Sequence, residues 1–199
     1  MTTLNALPDL SNFQPAASGA PNEEVLIRYT SGSGRFSQDK KFITLSMSMF
    51  DPYGQPDGYH NGVWEAMFSD PRQLLQIPPQ PQRSFIVPEG PVPVLQPSAQ
   101  TKGIWAFADG SSITAVGPAM STLTQLDDGS FLFMVATAQW ITNGTGKYDG
   151  AYGLKSSLGS THIPAGVDLF GPRPVQFEAS TIDTFRVMRA EFIAKPVNP

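Results

Sequence analysis

Four side chains in this sequence are suited to acid-base work, and three of them fall in one segment, Asp51-Pro-Tyr-Gly-Gln-Pro-Asp-Gly-Tyr-His60. Asp51, Tyr53 and His60 there read as part of a turn-rich stretch at a barrel rim. An acid, an imidazole and two phenols at a rim can orient the polar end of a substrate; Asp-Pro and Asp-Gly are also ordinary turn formers. Glu65 stands between Trp64 and Ala66 in the candidate strand Val63 to Phe68. Turned into an apolar cup, its carboxyl is a general acid or hydrogen-bond donor, because desolvation favours the uncharged form; turned outward, it is a solvated surface acid. Arg28 and Gln139 bind a carbonyl group if their strands turn them inward.

Several chemistries are excluded. The chain has no cysteine, which removes disulfides, zinc ribbons, iron-sulfur ligation and thiol nucleophiles. Its two histidines, His60 and His162, form no short-spaced pair, so no metal centre is expected. Gly32-Ser33-Gly34 precedes no lysine, and neither a Gly-x-Ser-x-Gly elbow nor a nucleophile-histidine-acid pattern occurs. Oxygen and nitrogen chemistry without a cofactor remains.

The 199 residues are 40% hydrophobic and 15% charged, with a net charge of -4, which fits one globular domain. With no basic run longer than Lys40-Lys41, the chain lacks the positive footprint of nucleic-acid binding. No apolar run is long enough to span a bilayer, and the first twenty residues carry no Lys or Arg ahead of an apolar core, so a cytoplasmic protein is expected. Residues 1–22, with Pro8, Pro15 and Pro21, read as a flexible N-terminal arm; Leu4, Leu7, Leu10 and Phe13 recur every three residues and can form one packed helical turn.

Residues 23–199 read as a single all-β domain. Strand candidates are Val25–Tyr29, Phe42–Phe50, Val63–Phe68, Gly103–Ala108, Ile113–Val116, Leu123–Leu126, Phe131–Ile141, Tyr148–Ser156 and Phe185–Ile193. Phe42–Phe50 alternates Ile43, Leu45, Met47 and Met49 with Thr44, Ser46 and Ser48, the period of a half-buried strand. Asp109-Gly110 and Asp127-Asp128-Gly129 mark hairpins. The expected architecture is an eight-stranded antiparallel lipocalin-like barrel, since closure removes exposed edges. Eight prolines between Asp70 and Gln100 make residues 70–100 a long Pro-rich loop insertion, either a lid over the barrel mouth or a strap across an outer face. His162–Pro174 is a second interruption of the same character.

The segment Trp140-Ile-Thr-Asn-Gly-Thr-Gly-Lys-Tyr-Asp-Gly-Ala-Tyr-Gly153 supplies turn residues at Asn143-Gly144 and Gly146, and small residues at Gly150 and Gly153 for close backbone approach. Its order resembles the glycine-rich hairpin of the allene oxide cyclase and dirigent-like barrels, matched by Gly144, Gly146, Tyr148, Gly150 and Gly153. The preceding stretch Phe107 to Pro118 is similar to the hairpin before it in those families. The resemblance covers about Gly103 to Ser156 and implies a calycin-like cup that holds a hydrophobic small molecule, in a homo-dimer or homo-trimer.

In such a cup the candidate substrate-binding side chains are Met47, Met49, Trp64, Met67, Trp105, Phe107, Phe131, Phe133, Met134, Gln139, Trp140, Tyr148 and Tyr152, each equally able to serve as plain core. Confinement of a reactive polyene, with one hydrogen bond to a carbonyl, suffices for a pericyclic step. The expected function is thus a cofactor-free cyclase of natural-product biosynthesis, a hetero-Diels-Alderase among the subtypes. The alternatives are a non-catalytic carrier of a small hydrophobic ligand, and an interaction protein whose proline-rich segment is recognised by a partner.

Overall fold

The computed structural model describes residues 23–68, 70–75 and 96–188. The expected N-terminal arm, and residues 76–95 of the proline-rich insertion with its lid or strap, lie outside the described residues.

Eight strands run in order as an antiparallel meander: β1 Glu23–Phe36, β2 Phe42–Phe50, β3 Pro56–Ala66, β4 Gln96–Phe107, β5 Ser112–Gln125, β6 Phe131–Thr145, β7 Tyr152–Ile163 and β8 Val175–Met188. β8 pairs with β1 from Val175↔Phe36 to Met188↔Glu23, which closes the barrel. The expected eight-stranded closed barrel is the observed one. The Asp109-Gly110 and Asp127-Asp128-Gly129 turns sit where expected, with Gly110 and Gly129 both at positive φ.

Four boundaries differ from the sequence reading. Ile113–Val116 and Leu123–Leu126 belong to the single strand β5. Pro118 is tolerated inside it because Gly117 and Pro118 stay paired to Thr101 and Gln100 on β4, while the ladder to β6 is interrupted between Val116 and Ala119. β3 begins ten residues before Ala66, at Pro56, so His60 lies within a strand. Tyr148 belongs to the 3-10 turn Gly146–Tyr148, and β7 starts at Tyr152. The last strand, expected at Phe185–Ile193, spans Val175–Met188.

The barrel interior is filled in three layers. At one end Phe36, Ile43, Leu45, Trp64, Phe133 and Phe177 form an apolar cluster, capped by Leu74 and Leu169. At the other end Leu26, Met49, Trp105, Phe107, Ile113, Phe185 and Val187 form a second, capped by Tyr148. Leu169 comes from the β7–β8 connection, where its neighbour Phe170 meets Phe131 edge-on at 5.4 Å. Tyr148 is placed by the glycine-rich hairpin: Gly150 supplies a left-handed residue at φ 67°, and a side chain at Gly144 would collide with the Tyr148 backbone. Between the two clusters lies a layer of polar side chains.

Candidate functional site

The polar layer is built from inward-facing positions of alternating strands. On β7, Gly153, Lys155, Ser157, Gly159 and Thr161 point in while Tyr152, Leu154 and Leu158 point out. β8 contributes Thr181 and Asp183, β3 His60, β4 Thr101 and Trp105, β6 Thr137 and Gln139, and β1 Thr30.

Its centre is an ion pair. Lys155 Nζ lies 2.9 Å from Asp183 Oδ1, and the two side chains are 3% and 1% exposed. Asp183 also accepts a hydrogen bond from the Trp105 indole N–H at 3.0 Å and one from Thr181 Oγ1 at 3.2 Å. Lys155 donates to Ser157 Oγ at 2.8 Å and sits 4.4 Å from the centre of the Trp105 ring. A buried pair survives only when its remaining donors and acceptors are met in this way, since desolvation of each ion costs several kcal/mol.

From Lys155 a continuous chain of hydrogen bonds crosses the barrel. Ser157 and Thr137 hydroxyls meet at 2.6 Å, Thr137 donates to Gln139 Oε1 at 3.4 Å, Gln139 Nε2 donates to Thr101 at 2.7 Å, and Thr101 donates to the Gly117 carbonyl at 2.7 Å. On the other flank, Thr30 and Thr181 hydroxyls meet at 2.6 Å.

His60 lies flat on Trp105, with ring centroids 4.3 Å apart and an interplanar angle of 6°. Burial pushes its pKa down from 6.5 to about 4, against the pull of the Asp183 carboxylate and with the Lys155 ammonium adding to the depression. The imidazole is therefore neutral at physiological pH, and its Nδ1 is buried without a hydrogen-bond partner among the described residues. Space for the stacked rings comes from glycines: a Cβ at Gly103 would overlap the Trp105 ring and stand 2.9 Å from His60 Nε2. Gly103→Ala is expected to lower stability by about 1–3 kcal/mol through overpacking, measured as a shift in the urea midpoint at unchanged m; a midpoint within error of wild type would show that the stack yields.

Burial also lowers the pKa of Lys155, while Asp183 opposes the shift. Proton transfer between the two would replace two buried charges by two neutral groups, the direction that low polarity favours. The layer thus holds a strong donor, an acceptor and a neutral imidazole in surroundings where each acts more strongly than in water.

On one side of this layer, space comes as near as Thr161 and Thr181. The β7–β8 ladder ends at Ser160↔Ser180, and below it the two strands part around the Pro164–Pro174 connection. A groove of about 950 Å³ lies along the parting, lined by Ser160, Thr161, Phe177, Glu178 and Ser180 among others. Behind it a small enclosed cavity of about 20 Å³ is lined by Trp64, Phe133, Val135, Thr161, Phe177 and Thr181, room for one water molecule. Groove and cavity share Ser160, Thr161, Phe177 and Ser180. The floor of the cavity is Thr181, which donates to Asp183.

The structure brings together only part of the residue set expected from the sequence. Met47, Met49, Trp64, Trp105, Phe107, Phe131, Phe133 and Gln139 face the interior, and Tyr148 plugs one end. His60 is also inside, a correction to its expected rim position, because β3 starts at Pro56 and His60 falls at an inward position near the middle of that strand. Glu65 points outward between Phe42 and Gln100 of the neighbouring strands. Asp51 accepts from the Tyr53 and Gln55 backbone N–H groups, holding the β2–β3 turn, and Tyr53 is 87% exposed. None of these three reaches the interior. Met67, Trp140 (62% exposed) and Tyr152 lie on the outer surface, and Met134 is half-buried with outward parity. Arg28 is tied to Asp57 and lies over Phe107 at 5.6 Å.

Lys155, Asp183, Thr181 and Thr30 were missed by reasoning from hydropathy. β7 carries its larger apolar side chains outside, as in Leu154-Lys155-Ser156-Ser157-Leu158, so ranking by size and apolarity selects the wrong face there, while on β1 and β8 the polar Thr30, Thr181 and Asp183 share the inner face with large hydrophobes that the ranking prefers. The signal was a lysine and an aspartate, each flanked by outward hydrophobes, on strands adjacent in the meander. No protein-family model, no curated protein and no solved structure matches the chain.

Proposed function

We propose that the barrel is a cofactor-independent cyclase that receives a small apolar carbonyl compound at the Lys155–Asp183–His60 layer and directs its closure to one stereoisomer. The observation that carries this reading is a fully buried ion pair beside an imidazole nitrogen with no partner among the described residues, in a polar layer held between two apolar clusters. A buried pair is poor evidence of a stabilising role, and groups perturbed by burial and a charge partner are candidates for function. The Lys155 ammonium supplies a hydrogen bond to a carbonyl oxygen that gains negative charge as the ring closes, and apolar walls hold the chain near its reactive conformer. The rest of the molecule lies in the groove along the β7–β8 parting, where Pro164, Val167 and Phe177 are its apolar contacts among serines, Gln176 and Glu178, and the carbonyl end passes Phe177 to the polar layer. The resemblance of the glycine-rich hairpin to allene oxide cyclase and dirigent-like barrels supports the same reading.

The test is product analysis. Small molecules released from freshly purified protein identify the compound, which is then incubated with wild type and with Lys155→Arg. The reading predicts one stereoisomer formed with wild-type protein and a slower, mixed outcome with the variant, whose cation no longer fits the carbonyl. An unchanged ratio and rate with wild-type protein, relative to buffer, leaves the carrier function, in which the same chamber binds without turnover.

The partner we propose is further copies of the same chain. Tyr29, Ile182, Leu158 and Ala136 form one outward row in register across β1, β8, β7 and β6, and Val25, Ile27, Leu154 and Trp140 lie beside it, with Arg186 and Thr184 of β8 between them. This apolar face occupies four of eight strands, half of the wall, more than one flat contact can cover on a cylinder. A ring in which each copy touches two neighbours covers it. Leu158→Glu is expected to convert the oligomer to monomer in native mass spectrometry; a wild-type protein that is monomeric at micromolar concentration contradicts the proposal.

A further inference from the structure

We propose that Lys155 captures an aldehyde covalently as a protonated Schiff base, with Asp183 as its counter-ion. The inference rests on the reading that the interior receives a carbonyl ligand, and it names the ligand class and the bond that holds it.

Lys147 also has a carboxylate partner and a ring face, but on the surface; among the described lysines only Lys155 combines the three features that follow. Its amine is enclosed in the barrel and partnered by a carboxylate that can take its proton, which yields the neutral nucleophile. Trp105 places a ring face 4.4 Å from Nζ, suited to a cation of either kind. The parting of β7 and β8 gives an apolar tail a place outside the packed interior, so only the small aldehyde head must pass Phe177.

The step balances within the layer. Lys155 passes a proton to Asp183, and the free amine attacks the aldehyde carbon to form a C–N bond. A proton moves from nitrogen to the former carbonyl oxygen, which gives a neutral carbinolamine. Asp183 then returns its proton to the hydroxyl, which leaves as water while the C=N bond forms. The product is an iminium beside a carboxylate, so one buried cation replaces another and no charge is left unpaired. The iminium keeps a single N–H for Asp183. Ser157 loses its bond from Lys155 but keeps the Thr137 hydroxyl at 2.6 Å, and Asp183 keeps Trp105 and Thr181.

The experiment is reductive trapping. Native protein is incubated with citral, an apolar enal, and sodium cyanoborohydride, and the adducts are mapped by peptide mass spectrometry. The result expected is an adduct at Lys155 that forms at lower citral concentration than those at the surface residues Lys41 and Lys102. Lys155→Arg keeps the cation for Asp183 but cannot form the imine; it should lose this adduct and retain the surface background, with its Trp105 indole N–H resonance as the check on folding. Adducts confined to surface lysines, or equal low-concentration uptake by Lys155→Arg, overturn covalent capture. Reversible binding of β-ionone, a less electrophilic ketone, measured without reductant on wild type and on Lys155→Arg, tests the cyclase or carrier reading separately, so failure of one is distinguishable from failure of the other.

Discussion

Lys155→Met is expected to lower stability by about 3–5 kcal/mol, because it leaves the Asp183 carboxylate buried without its cation. The partner variant Lys155→Met/Asp183→Leu should recover most of that loss, since an apolar pair of similar size removes both desolvation costs. Trp105 and Thr181 would then each lose one acceptor, so recovery stays short of complete. Urea denaturation of the two variants checks both statements. A loss under about 1 kcal/mol for the single variant would mean that solvent reaches the pair, contrary to the packing of Trp105, Ser157 and Thr181 around it. The same comparison separates structure from function: a pair retained only for stability can be replaced by an apolar pair without consequence, whereas a reacting pair cannot.

The second large effect is on pH dependence. His60 holds a pKa of about 4 in the folded chain against 6.5 for a solvated imidazole, chiefly through burial. Below 6.5 the unfolded chain takes up a proton that the folded chain refuses. The stabilisation is therefore complete above pH 6.5 and is lost as pH falls toward 4, by about 3 kcal/mol in all, at 1.36 kcal/mol per unit. Measured on wild type and on His60→Gln between pH 7.5 and 4, the difference in stability should shrink by about that amount toward low pH. A difference independent of pH would show that the imidazole takes up its proton equally in the folded and unfolded chain, as a solvated group does.

The closed barrel was legible because its signals are local. Asp109-Gly110 and Asp127-Asp128-Gly129 announce hairpins, and Ile43, Leu45, Met47 and Met49 alternate with serines and threonine on β2. β2 also shows why part of the interior could be named: its apolar face is its buried face. The same rule fails on β7, where Leu154 and Leu158 are outside and Lys155 and Ser157 inside, because the outer wall there is apolar and the interior carries the polar layer. Gln139 and Trp140 make the point within one dipeptide: the amide is buried and the indole exposed. Asp51 and Tyr53 looked like chemistry and are turn architecture, since an Asp that accepts backbone N–H groups is fully employed in holding its loop. His60 was recognised as a reactive group but misplaced, because Pro56 and Gly58 near the start of β3 read as turn residues. Lys155 meets Asp183 through the pairing of the consecutive strands β7 and β8, but what brings His60 and Trp105 of β3 and β4 against them is closure of the meander, which leaves no mark in any single segment.

The central claim, that apolar carbonyl ligands bind at the interior polar layer, is tested most directly by the indole N–H resonances of the three tryptophans on addition of β-ionone. Trp105 donates to Asp183 inside the layer, Trp64 lines the neighbouring cavity, and Trp140 is on the outer wall. Saturable shifts of the Trp105 and Trp64 signals, with Trp140 unmoved, are the result the account predicts. Movement of Trp140 alone, or no movement at saturating ligand, would place binding on the outer surface or nowhere, and would leave the ion pair as a structural feature of the core.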